Sequence, residues 1–277
     1  FEYDSKKSGG FTCSHLRFGD SPIRSTYLVT TPDFVACHVQ AYLRLYDVTK
    51  GLKRNGTFLL NTVWNADEVK NNLPTNVKRY FAQNNIKLYI INATDIALEI
   101  GLGNRTNTIL QSAFFKITNV IPYDLAVEQM KKAIVKSYGR KGEAVVNMNY
   151  AAVDRGGEYA EVSIPAEWAN LSDEVAGTDN VPGFIRDIVR PVNAQNGSSL
   201  PVSTFKGRED GTWVQGTTKY EKRGVAMFVP EWDLNNCIQC NQCAYVCPHA
   251  SIRPFVLDAA ELANAPFGEG QTLKTNG

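Results

Sequence analysis

Four cysteines within eleven residues constrain this chain more than any other feature. Cys237, Cys240, Cys243 and Cys247 read C-x2-C-x2-C-x3-C, and Pro248 follows. Thiols this close cannot form the disulfide framework of a 277-residue chain. Zinc is one reading, but zinc sites usually pair two C-x2-C units across a longer loop. The compact run ending in Cys-Pro is the bacterial ferredoxin signature of a [4Fe–4S] cluster. Cysteines at i, i+3 and i+6 on a tight turn aim three thiolates at three irons of one cube. The fourth points away, and in two-cluster ferredoxins it serves the other cube. Such a site implies a reducing compartment, here the cytoplasm, where thiols persist.

The count leaves a deficit. Two cubes need eight cysteines, and the chain has six. The other two, Cys13 and Cys37, lie some 200 residues upstream, and none follows Cys247. The expectation is an internal part of a longer polypeptide, and the start at Phe1 agrees with it. The alternative is a single cluster that takes its fourth ligand from elsewhere, which Cys243 and Cys247 would serve poorly together. Cys13 and Cys37 themselves read as small buried hydrophobes rather than reactive thiols.

Composition bounds the rest. A hydrophobic share of 43% with a net charge of +1 excludes a disordered chain. It gives no excess of cations for binding nucleic acid by bulk charge. No apolar run reaches the roughly 20 residues of a membrane span. Length suggests about two domains.

In the first 190 residues, short apolar runs alternate with amphipathic stretches. Strands are expected at 26–30, 34–38, 56–61 and 87–92. Helices are expected at 40–52, 68–85 (with Pro74 in a turn or first helical position), 93–102 and 106–119. The clearest helix has Asp124 as its cap, Val127, Met130, Ile134 and Tyr138 at helical spacing, and Gly139 closing it. This alternation predicts an α/β fold, an open, mostly parallel sheet with flanking helices over residues 1–190. Residues 191–224 are rich in Gly, Asn and Ser and read as an irregular linker. Residues 225–277 then form a partial α+β ferredoxin-type iron–sulfur domain, entered by a strand at 225–229.

Other constellations are less specific. Ser8, Gly9, Gly10, Ser14, Arg17 and Arg24 lie in a polar, glycine-rich segment that could meet a phosphate or carboxylate. It lacks the G-K-[ST] ending of a Walker loop, and a plain tight turn explains it too. His38 reads as a core residue. His249 is placed either to hydrogen-bond a cluster sulfur or on the surface. The four tryptophans read as packing. No Ser–His–Asp or H-E-x-x-H pattern is present, so no catalytic residue is assigned.

Longer stretches carry a resemblance. Residues 3–10 (Y-D-S-K-K-S-G-G), 14–19 (S-H-L-R-F-G) and 21–25 (S-P-I-R-S) closely resemble the pyruvate:ferredoxin (flavodoxin) oxidoreductase family. So do residues 216–224 (G-T-T-K-Y-E-K-R-G) and 229–232 (V-P-E-W), which run on into the cysteine motif. The resemblance covers the whole chain. It implies an enzyme that oxidatively decarboxylates pyruvate with CoA to acetyl-CoA and CO2, using thiamine diphosphate and Mg. Electrons would pass through [4Fe–4S] clusters to ferredoxin or flavodoxin, in a long, usually homodimeric polypeptide. On this resemblance residues 1–190 match the gamma-type domain, 191–224 the connecting domain, and 225–277 the first half of a two-cluster ferredoxin domain. The thiamine and pyruvate sites would lie in domains outside this chain, so the chain alone should not catalyse the reaction. Cys237, Cys240 and Cys243 would hold one cube, and Cys247 the next. Residues 8–24 become a candidate contact for CoA phosphates. Another 2-oxoacid:ferredoxin oxidoreductase, or a free-standing ferredoxin-like carrier, are the alternatives.

Overall fold

A computed structural model describes residues 1–4, 10–172, 180–221, 226, 229–265 and 272–274. The chain divides into two compact units, Phe1–Val225 and Ala226–Gly277.

The first unit opens with a short antiparallel ribbon. Strand β1 (Glu2–Tyr3) pairs with β2 (Thr12–Cys13), Glu2 opposite Cys13. The main sheet has the order β3-β4-β5-β6. Strands β3 (Phe34–Cys37), β4 (Thr57–Asn61) and β5 (Lys87–Ile91) are parallel, and β6 (Ala160–Val162) closes one edge antiparallel to β5. The three parallel strands are near-continuous apolar runs because both of their faces are covered. Successive side chains alternate between faces. Val35, Cys37, Phe58, Leu60, Leu88 and Ile90 go to one core, with Val69, Val77, Phe81 and Trp168. Phe34, Ala36, Leu59, Tyr89 and Ile91 go to the other, with Ile96, Ile109, Leu110 and Ala152.

The helices follow in chain order. One turn, α1 (Tyr42–Leu45), succeeds β3. Helices α2 (Ala66–Asn72) and α3 (Thr75–Gln83) fill the crossover from β4 to β5 and are separated by Pro74. Asn65 and Glu68 form a capping box on α2. Beyond β5 come α4 (Ala93–Glu99), α5 (Asn107–Thr118), α6 (Tyr123–Tyr138) and α7 (Glu143–Arg155). Buried Asn61 ties the strand ends together. Its amide donates to the His38 carbonyl at 3.0 Å, and its oxygen accepts the Ala93 N–H at 3.0 Å.

The α/β class with a mostly parallel sheet holds, with local corrections. Residues 26–30 form no strand: strand-like composition lacks a neighbouring strand, and the Val29 N–H goes to His15 instead. The helix expected at 40–52 shrinks to α1 and turns, one of them at Gly51 with φ +74°. Asp124 lies in the first turn of α6 rather than capping it, and Pro122 occupies the cap. Helix α7 and strand β6 arise where neither was expected. His38 is exposed rather than core, because it lies just past the last sheet residue. The four tryptophans divide: Trp168 is buried, Trp64 is partly buried against the same core, Trp213 packs edge-on against Phe184, and Trp232 is exposed.

Between 180 and 221 the chain forms a single π-helical turn (Ile185–Val189), the one-turn helix α8 (Arg190–Asn193) and several 3₁₀ turns. The second unit has two short helices, α9 (Gln242–Val246) and α10 (Ala259–Ala263). None of its described residues is buried. Of the strand expected at 225–229, residues 225, 227 and 228 lie outside the described residues, and 226 and 229 are not in a strand. Among the described residues, no helix is long and apolar enough to cross a membrane.

Candidate metal centre

The cysteine segment is a sequence of tight reversals. Cys237 N–H donates to the Leu234 carbonyl at 3.3 Å. Gln239 (φ +57°) and Asn241 (φ +61°) are left-handed, a conformation that L-residues rarely adopt and Asn tolerates best. Cys240 sits between them. Cys243 rides on α9, which starts at Gln242, and Cys247 ends it in extended conformation. Pro248 follows and has no N–H that would continue the helix. All four are free thiols, Cys240 and Cys243 exposed and the others half-exposed.

Backbone donors gather on the last sulfur. The Ser251 N–H donates to Cys247 Sγ at 3.3 Å. With the amides of His249 and Ile252, it holds the Cys247 thiol below its ordinary range. Left-handed Ala250 (φ +49°) turns the backbone around the sulfur. Amides aimed at sulfur favour the thiolate, the form that binds metal. Four soft thiolate donors suit an iron–sulfur cluster. The compact run of soft donors on tight turns fits a [4Fe–4S] cluster.

The N-terminal candidates fall apart into different roles. Ser8 and Gly9 lie outside the described residues. The Gly10 carbonyl accepts the Tyr42 hydroxyl at 2.9 Å. A Cβ on Gly10 would sit 2.1 Å from Asp4 Oδ1, so this glycine packs closely against a carboxylate. Arg17 Nη1 donates to the Ser25 carbonyl at 3.1 Å, and its guanidinium lies 3.6 Å from the centre of the Tyr27 ring. Arg17 thus serves its own loop. Ser14 and Arg24 are exposed.

A cluster that sequence reasoning missed joins Glu2, Cys13 and His15, whose ligand atoms lie within 4.8 Å. His15 Nδ1 accepts the Val29 N–H at 3.1 Å, so Nε2 carries the proton toward Glu2 Oε2, 3.0 Å away. Both ring nitrogens are engaged, and the group acts as a clasp. Burial and the neighbouring Glu2 raise the Cys13 thiol. Burial pushes Cys37 up to about 12, so it behaves as the inert core residue its position suggested.

The sequence pattern of the family described as pyruvate ferredoxin/flavodoxin oxidoreductase matches residues 1–159, more than half of the chain. The chain belongs to this family. A domain of unknown function matches residues 171–226, and a 4Fe-4S binding domain matches 229–252. The pyruvate-flavodoxin oxidoreductase of Enterobacter agglomerans is 52% identical over 97% of the chain and 23% of its own length. The pyruvate:ferredoxin oxidoreductase of Moorella thermoacetica is 53% identical over 96% of the chain and 23% of its own. The pyruvate dehydrogenase [NADP(+)] of Cryptosporidium parvum is 45% identical over 96% of the chain and 15% of its own. The chain therefore spans about a quarter or less of these relatives. Within the pyruvate ferredoxin/flavodoxin oxidoreductase family, the expected cluster type is borne out by the 4Fe-4S match, which spans all four cysteines.

Proposed function

We propose that this chain is one region of a longer pyruvate:ferredoxin (flavodoxin) oxidoreductase, which converts pyruvate and CoA to acetyl-CoA and CO2. The supporting observation is one chain that joins the family match over 1–159 to a four-cysteine run whose last sulfur is cradled by amides. On this reading residues 1–190 form the gamma-type domain, 191–224 the connecting segment, and 225–277 the first part of a ferredoxin-type domain. Cys237, Cys240 and Cys243 hold one cluster, and Cys247 helps to hold the next with cysteines outside this chain. A [4Fe–4S] cluster supplies one-electron transfer, with a potential set by burial and by hydrogen bonds to sulfur. The chain's own part is to fix the spacing of the thiolates and to lower the proton affinity of Cys247. The left-handed residues between the cysteines do the first, and the amides of Ser251, His249 and Ile252, Ser251 foremost, do the second.

Thiamine diphosphate with Mg and the pyruvate site belong to other domains of the same polypeptide, which is a cytoplasmic homodimer. Ferredoxin or flavodoxin takes the electrons. The relative named for NADP(+) shares this region at 45% identity, so the acceptor is chosen elsewhere in the protein. Ser8, Gly9, Gly10, Ser14, Arg17 and Arg24 border the CoA phosphates. Arg17 acts there by holding the loop, while exposed Ser14 and Arg24 make the contacts.

The test is an anaerobic assay of the full-length enzyme with pyruvate, CoA and either carrier. Pyruvate- and CoA-dependent reduction of the carrier is expected. Activity with another 2-oxoacid and none with pyruvate would reassign the substrate within the same architecture.

A further inference from the structure

Residues 14–30 contain no helix or strand, yet they form a built loop. Its base is closed where the Val29 N–H meets His15 Nδ1. It is closed again where Arg17 reaches the Ser25 carbonyl and covers the Tyr27 ring. Phe18 stacks on Phe114 of α5, with centroids 5.9 Å apart. A loop with joined ends and internal packing is an Ω-loop, a class that is frequently functional.

What this loop presents is apolar. Leu16, Phe18, Ile23, Tyr27 and Leu28 keep 41% to 72% of their surface exposed. These five fall within thirteen residues. From 34 to 170 the unit exposes only five such side chains, Val63, Leu98, Val120, Leu125 and Val135. Scattered exposed apolar residues need no explanation, but five within one clasped loop are the kind of surface that a binding partner covers.

We propose that this loop docks an apolar surface of another domain of the same polypeptide. The inference rests on the reading of this chain as one region of a longer protein, as in relatives of which it spans 23%. The length of chain outside this region selects the occupant: the relatives carry more than three-quarters of their length elsewhere. A domain on the same chain meets the loop at an effective concentration in the millimolar range, so a patch on the order of 600 Å², at about 200 Å² per large side chain, suffices. Charge agrees: from Leu16 to Leu28 the loop carries Arg17, Arg24 and Asp20, with Arg17 held internally, so nothing selects a strongly charged partner.

The experiment places the photo-crosslinking residue p-benzoylphenylalanine at position 23 of the full-length protein. On irradiation we expect a cross-link within one chain, at unchanged chain mass, mapping to a peptide outside residues 1–277. The mass of the unirradiated, denatured polypeptide tests the longer-chain reading separately. A product of doubled mass, a cross-link confined to residues 1–277, or no cross-link overturns the proposal. As a second measure, Ile23→Ser should speed proteolytic cleavage within 16–28 of the full-length protein about tenfold. An unchanged rate would count against docking.

Discussion

At the residue scale, each decisive side chain acts through a local physical cause. Cys240 sits between two left-handed residues, and no neighbouring cysteine can take its place without moving that backbone. Cys240→Ser should therefore remove about four irons per chain from the full-length enzyme, with a matching fall in the brown visible absorption. Thiamine binding should be unchanged, and iron counting beside a thiamine titration checks both. Gly156 is a steric case. A Cβ there would lie 2.3 Å from Ser112 Cβ and 2.8 Å from the Ile109 carbonyl oxygen. Ser112 is fully buried and donates to the Val153 carbonyl at 2.6 Å, so it cannot swing away. Gly156→Ala should cost about 1–3 kcal/mol by overpacking, read as a lower denaturation midpoint at unchanged m-value.

At the element scale, caps and ion pairs set the margins. The Asn65 side chain accepts the Asp67 and Glu68 N–H groups at 3.0 Å each. Asn65→Ala should cost about 1 kcal/mol, a fall of roughly 2–4 °C in Tm. Arg155 joins two helix ends, meeting Glu158 through two nitrogens at 2.7 and 2.8 Å and Glu99 at 2.5 Å. The Arg155 hydrogen bonds hold the Glu158 carboxyl below its ordinary range. A depressed carboxyl stabilises the fold above its unfolded value and loses that contribution as pH falls through the folded one. Exposure to solvent limits the effect to well under 1 kcal/mol. Arg155→Met should thus lower Tm slightly at neutral pH, and the difference should shrink as pH falls below the ordinary carboxylate range and through the depressed Glu158 value. A persistent difference in acid would mean that the arginine stem, rather than its charge, does the work.

The same scale shows what the sequence made legible. β3, β4 and β5 were readable because a strand covered on both faces must be apolar almost throughout. β6 was not, since three residues with one buried side chain carry no period. α7 was hidden by Asn147 and Asn149, and Asn149 is buried because its amide finds the Val145 carbonyl at 2.8 Å. Residues 26–30 misled because β-propensity describes a fit to a neighbouring strand, and here none exists. In the site, thiol spacing was legible. The amides around Cys247 were not, because they belong to backbone turns that no side-chain pattern announces. The Glu2–Cys13–His15 clasp was invisible for a related reason: Glu2 meets the others only through the β1–β2 pairing.

At the scale of the whole molecule, the two units differ in kind. Residues 1–225 enclose fully buried side chains such as Phe58, Phe81 and Ile109. Among the described residues of 226–277 none is buried, while Val229, Ile238, Tyr245, Phe255 and Val256 are more than three-quarters exposed. Ordering a residue costs about 1–2 kcal/mol of backbone entropy, and among the described residues of this unit no buried side chain opposes that cost. Ligands to its cysteines are therefore expected to order it, since metal binding energy is folding energy in such sites. Two outcomes are expected when the 277-residue chain is made alone. Without iron, a nonspecific protease should strip the segment beyond about residue 226 at least tenfold faster than it cuts within 34–170. After anaerobic reconstitution with iron and sulfide, mass spectrometry of the digest should show that segment protected. Equal resistance of both units in the iron-free chain would show that 226–277 holds itself together by packing, and the dependence on the cluster would then be wrong.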